Sequence, residues 1–241
     1  MTTETETSAR AWQPLTPRGV AAFAAAPLSR LLLVQFVFAT VAAAVVAWFL
    51  NANWFPIITE AIQQLPSRGE IVDGRLRWPK ESPQLLAAGN FLSFTVDLNH
   101  TGGARTPAQL EIEFGRDNVW IMSLFGYIEA AYPKGWIVEF NRPELETRWG
   151  AWKPPLLWLC AGTAIPGLMV LWAVMATVYV PIVWLAGLFT NRHLTPRASW
   201  KLAGAALMPG ALLATVGIGL YGLGVLDLVR CLAILGAHFV L

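Results

Sequence analysis

Charged side chains are missing from long stretches of this chain. None occurs from Leu31 to Thr59, from Pro154 to Asn191 or from Leu202 to Leu226, and a shorter uncharged stretch runs from Cys231 to Leu241. Over 241 residues only 13% are charged, where a soluble domain carries about 25%. That composition excludes a disordered chain and a coiled coil, and it speaks against a soluble globular enzyme. Cysteine is scarce too. Cys160 and Cys231 are the 2 present, both in uncharged stretches, so a disulfide scaffold is excluded. The 3 histidines, His100, His193 and His238, are scattered without metal-ligand spacing, and no metal site is expected. A formal net charge of +2 is too small for a nucleic-acid binder. HExxH, GxSxG, a phosphate loop and a dinucleotide fingerprint are all missing, so neither a catalytic set nor a cofactor is expected.

What the chain has is apolar side chains, 56% of the total, and 12 tryptophans. A helix needs roughly 20 apolar residues to cross a hydrocarbon core about 30 Å thick. The uncharged runs therefore predict an α-helical integral membrane protein of three or four spans, with the lipid bilayer as its first partner. An arm over 1–29 precedes the first span at 30–50, and its first ten residues, MTTETETSAR, read as a flexible tail. A cleaved signal peptide is the competing reading of this span. It would need a leader of about 30 residues before the apolar stretch, which is too long, and Leu50 is a poor residue before a cleavage site. The run from Pro154 to Asn191 is 38 residues, about 57 Å as a straight helix. It predicts one long helix over 155–190, kinked at Pro181; two half-length spans hinged at Pro166-Gly167 are the alternative. A third span is expected over 202–220. The remainder, 222–241, is interrupted by Asp227 and Arg230 and reads as a short transmembrane or re-entrant helix.

Short loops rich in Lys and Arg stay cytoplasmic. Arg10, Arg18 and Arg30 precede the first span, and Arg192, Arg197 and Lys201 lie in the loop 191–201. Both segments must share a side, so the N-terminus is expected in the cytoplasm. Residues 51–153, with 12 acidic and 10 basic side chains, are then extracytoplasmic.

That insert changes hydrophobic period. Phe55, Ile58, Ile62 and Leu65 predict a juxtamembrane helix over 55–65. Period-2 segments follow: EIVDGRLRW with an Asp73-Gly74 hairpin turn, FLSFTVDL, LEIEF with Glu111 and Glu113 outward, VWIMSLF and WIVEF. They predict five or six short antiparallel strands, an inserted antiparallel β-rich (α+β) domain. No helical crossover separates them, so parallel pairing is not expected. Glu144 and Glu146 read as another solvated strand pair. Lys153, Pro154 and Pro155 are expected to end the domain. The tryptophans flanking it, Trp48 and Trp54 before and Trp149, Trp152 and Trp158 after, suit either the lipid surface or the base of the domain.

One span, a β-rich insert with IVDGRL and FTVDL, and clustered C-terminal spans together resemble a family of uncharacterised bacterial membrane proteins known only as a domain of unknown function. Some of its members are tied by name to maltodextrin utilisation. The resemblance implies this topology and a bacterial inner (plasma) membrane. It carries over neither site residues nor an activity.

Few positions could bear function. Asp227 and Arg230 are three apart and able to form an intramembrane ion pair. Ala39, Ala43 and Ala47, and likewise Ala206, Gly210 and Ala214, recur every four residues and permit close helix packing. Gln35 needs one interhelical hydrogen bond. The expected function is that of a non-enzymatic inner-membrane protein whose extracytoplasmic β domain binds a partner: another membrane or extracytoplasmic protein, or itself. The alternative is an oligomeric subunit of a membrane transport system. An enzyme would need a pocket joining His100 to acidic residues at the base of the domain.

Overall fold

A computed structural model describes residues 12–238. The expected tail, Met1 to Arg10, lies outside the described residues, as does the last part of the 222–241 stretch. The chain forms two compact units, Leu50–Leu157 and a helical unit made of the segments on either side.

The helical unit opens with α1, Pro17–Ala22, whose start is capped by Thr16 Oγ1 accepting from Gly19 N at 3.1 Å. Helix α2, Leu28–Phe49, continues through a π turn at Leu50–Trp54 into α3, Phe55–Gln64, in the other unit. After the β strands come α4, Arg142–Phe189, α5, Pro196–Gly222, and α6, Leu228–Ala237. Among the described residues three stretches are long and apolar enough to cross a membrane: Leu28–Gln64, Arg142–Phe189 and Pro196–Gly222. The 10 residues of α6 rise about 15 Å, half a hydrocarbon core.

Two helix starts lie earlier than the uncharged runs indicate. Helix α4 begins at Arg142, so Lys153-Pro154-Pro155 lie within a helix instead of ending the domain. Asn141 Oδ1 accepts from Glu144 N at 3.2 Å, and Arg142–Glu146 and Arg148–Glu144 pair one turn apart. Asn141-Arg142-Pro143-Glu144 is thus a capped helix start with an acidic first turn, and Glu144 and Glu146 belong to a helix, not a strand. Helix α5 begins at Pro196, capped by Thr195, which places Arg197 and Lys201 on the helix and not in a loop.

Helices α2 and α5 run side by side in the same direction. Lys201 Nζ donates to the Ala26 carbonyl at 2.6 Å, Gln35 Nε2 to the Gly204 carbonyl at 3.5 Å, and Phe49 stacks on Tyr221 with centroids 5.6 Å apart. Leu31, Ala39, Trp172, Ala205 and Met208 form the buried centre. Helix α6 packs back on α5. A Cβ built on Gly210 would come 2.7 Å from the His238 carbonyl oxygen, so only glycine permits this approach.

In the second unit, Ala61 of α3 and Leu65 just past its end are buried against Leu86, Val96 and Phe140. β1, Glu70–Val72, and β2, Arg75–Arg77, form the expected hairpin; Asp73 and Gly74 have φ of +51° and +80°, as a type I′ turn requires. β8, Ile137–Glu139, pairs with the other side of β1. The larger sheet contains β3, Gln84–Ala88, β4, Leu92–Val96, β5, Leu110–Phe114, β6, Asn118–Ser123, and β7, Gly126–Ala131, in that order.

The expectation of antiparallel pairing throughout needs one correction. β4 and β5 are parallel, Leu92 opposite Leu110 and Val96 opposite Phe114. A parallel pair needs a crossover of about a dozen residues, usually helical. Here residues 97–109 make it as a loop pinned by its own side chains. Thr101 Oγ1 and Gly102 N donate to Asp97 Oδ2, both at 2.8 Å, and Thr106 donates to Ser93 at 2.8 Å.

Gly210→Ala is expected to displace α6 and cost about 1–3 kcal/mol, read as lower thermal stability of the full chain in detergent. Gly162→Ala on α4 meets open space and is expected to lose nothing.

Candidate functional site

The period-2 pattern of β5 puts Glu111 and Glu113 on one face and Leu110, Ile112 and Phe114 on the other. The acidic face was expected in water. It is buried: Glu111 is 6% exposed and Glu113 1%. The crossover loop 97–109 is the cause, because it lies over this face and its His100 meets it. His100 Nδ1 and Glu113 Oε1 are 2.5 Å apart, and the imidazole stacks on Trp120 with centroids 4.6 Å apart. His100 has φ of +52°, a left-handed backbone that costs a non-glycine residue about 1 kcal/mol or more. The contact with a buried carboxylate offsets that cost.

Two neighbouring carboxylates are tuned in opposite directions. Burial raises Glu111 above the usual carboxylate range, only partly opposed by bonds from Thr106 N and the Thr95 hydroxyl. Burial also pushes Asp97 up, but hydrogen bonds from Thr101, Gly102 and Asn99 outweigh it and hold Asp97 below that range. This polar layer fastens the crossover. Two cavities of about 500 Å³ are lined by neither His100 nor Glu113. One is a cleft of about 540 Å³ beside Arg68, Glu70, Arg77 and Trp78. The other is an apolar crevice of about 510 Å³ within the helical unit, beside Ala42, Gly167, Trp172 and Thr215. Among the described residues no group of three His, Cys, Asp or Glu is placed to hold a metal ion.

The residues singled out from sequence are placed as follows. Asp227 and Arg230 do pair, at 3.4 Å, but exposed and at the start of α6, where Asp227 caps the helix by accepting from Arg230 N at 2.7 Å. Ala39, Ala43 and Gly210 are buried, while Ala47, Ala206 and Ala214 are half-buried. The two stripes do not meet as a single seam. Gly210 faces α6, Ala214 lines the crevice, and α2 approaches α5 at Gly204 and Gly222. Trp149 packs in the base of the β unit, donating to Thr59 at 2.9 Å and edge-on to Phe55, whereas Trp152 and Trp158 are exposed.

A further surface escaped the sequence pattern. β7 is an edge strand, and all six of its residues are exposed. With the turn before it, it presents Leu124, Phe125, Tyr127 and Ile128 to solvent, each about two-thirds exposed or more. The opposite edge, β3, is irregular between Leu85 and Ala87 and lies against α3. Proteins protect sheet edges with such bulges and covers because an unprotected edge pairs with other chains. Among the described residues one edge is protected and the other is not. The signal available in the sequence was an apolar run, Leu124 to Ile128, interrupted only by Gly126.

Comparison of the chain with protein-family profiles, with curated proteins and with solved structures finds no match in any of the three.

Because Glu111 is raised, the native state holds a proton over a window in which the unfolded chain has lost it, so stability falls as pH rises through that window. Glu111→Gln is expected to remove that slope and to raise stability at neutral pH. Asp97 acts oppositely: its contribution is present above the usual aspartate range and is lost as pH falls through the lowered value. Asp97→Ala is expected to cost about 2 kcal/mol at neutral pH. Thermal unfolding of the full chain in detergent between pH 4 and 8 reads both effects.

Proposed function

We propose that this chain is a multi-span bacterial inner-membrane protein without catalytic activity, whose extracytoplasmic β unit docks a protein partner along β7. The exposed edge, apolar at Tyr127 and Ile128, carries this reading. Strand pairing there supplies main-chain hydrogen bonds, and the side chains of Tyr127 and Ile128 supply apolar contact, the usual basis of recognition by strand addition.

Two features support the orientation. The parallel run of α2 and α5 brings their N-terminal ends together, and those ends carry Arg30, Arg197 and Lys201, with Arg18 on α1 and Arg192 just ahead of α5. Residues 12–30 and 190–201 contain no acidic side chain. An end rich in Arg and Lys belongs on the cytoplasmic side, which leaves the β unit outside.

A photoreactive phenylalanine analogue at Tyr127 of the full chain, illuminated in native membranes, is expected to give a protein adduct, and the same analogue at Leu85 on the protected edge is not. Absence of any protein adduct at position 127 contradicts the docking role.

A further inference from the structure

We propose that the partner on β7 is a second copy of this chain, and that the two β7 strands pair antiparallel about a two-fold axis at Ile128, joining two five-stranded sheets into one. This rests on the docking role of β7 proposed above and identifies what docks.

The ladder fixes which groups are free. β6 and β7 pair from Asn118 opposite Ala131 to Ser123 opposite Gly126, and beyond that end Tyr132 N donates to the Asp117 carbonyl at 3.1 Å. In an antiparallel ladder hydrogen-bonded and non-bonded pairs alternate. Counting back from Tyr132, residues 130, 128 and 126 turn their N–H and C=O groups toward β6. Tyr127, Glu129 and Ala131 turn theirs away, and among the described residues no partner meets them.

Charge and hydrogen bonding together then select a register, because centring the pair on Ala130 would leave Glu129 opposite Ala131, whose side chain offers it no donor. Self-pairing must join outward-facing residues with each other. Centring the pair on Glu129 would set two carboxylates opposite one another, which is destabilising. Centring it on Ile128 sets Tyr127 of each copy opposite Glu129 of the other. Those residues exchange four main-chain hydrogen bonds, and the phenol can donate to the facing carboxylate. Glu129 is held in place for this by Asn118 Nδ2, which donates to its Oε1. The two Ile128 side chains meet at the axis on the opposite face, each backed by Ile121 of its own copy. An isologous contact about a two-fold axis is the commonest form of self-association.

The test uses the full chain in native membranes with Cys160 and Cys231 replaced by serine. Ile128→Cys places two thiols in a non-hydrogen-bonded pair, where Cα atoms are about 4.5 Å apart, within disulfide reach. Mild oxidation is expected to give a covalent dimer. Ala130→Cys, on the same face, lies four strand positions from its counterpart, about 13 Å away, and is expected to give at least about tenfold less dimer. Both positions are exposed, so neither change disturbs the fold. An Ile128→Cys protein that stays monomeric, or an Ala130→Cys protein that dimerises as well, overturns self-pairing. If Ile128→Cys stays monomeric while the photoreactive group at Tyr127 captures a protein of another mass, self-pairing falls and the docking role stands. If neither experiment yields an adduct, both fall.

Discussion

Apolar surface that the fold itself does not cover is the constraint on which the helical unit depends. In the most apolar window of the Arg142–Phe189 helix only 11% of residues are buried, against 56% for Pro196–Gly222. Val170, Val174, Val178, Ile182 and Phe189 all stand outward. In water so much exposed hydrocarbon would drive aggregation; in a bilayer it costs nothing. A bilayer would remove the hydrophobic drive for helix association, and close packing would take its place. The contacts follow that rule. Gly204 admits Gln35 and Leu31, Gly210 admits the end of α6, and Gly222 admits Trp48 and Phe49.

The β unit obeys water's rules, with one inversion. Its apolar face packs under α3, as in any half-buried sheet. Its acidic face is buried as well, because the chain crosses from β4 to β5 over it. That crossover explains three features together: the parallel pair, the left-handed backbone at His100, and the opposite tuning of Asp97 and Glu111. A charge taken from water must be paired or hydrogen-bonded. Asp97 has its donors from the loop and Glu113 has His100, so the polar layer acts as a clasp on the crossover.

Much of this was legible in the residues. Uncharged runs located the long helices, the spacing of Phe55 and Leu65 located α3, and Asp73-Gly74 set the first hairpin. The start of α4 was also written locally, in Asn141-Arg142-Pro143-Glu144, but two prolines at 154 and 155 suggested a stop. β3 was illegible because Gln84–Ala88 has no β-branched or aromatic residue. β7 was illegible because its turn, Leu124-Phe125, is apolar and lacks the usual turn residues. The burial of Glu111 and Glu113 could not be read from alternation. Period 2 sorts side chains onto two faces without saying which face another segment covers.

We propose that lipid solvates the uncharged helices, with the cationic end inside the cell and the β unit outside it. Cysteine substitution at Arg116, exposed in the β unit, and at Arg197, at the cationic end of α5, tests this most directly. A membrane-impermeant maleimide added to intact cells is predicted to label Arg116→Cys and to spare Arg197→Cys until the membrane is opened. Labelling of Arg197→Cys in intact cells, with Arg116→Cys protected, would contradict the orientation and with it the placement of the β7 edge.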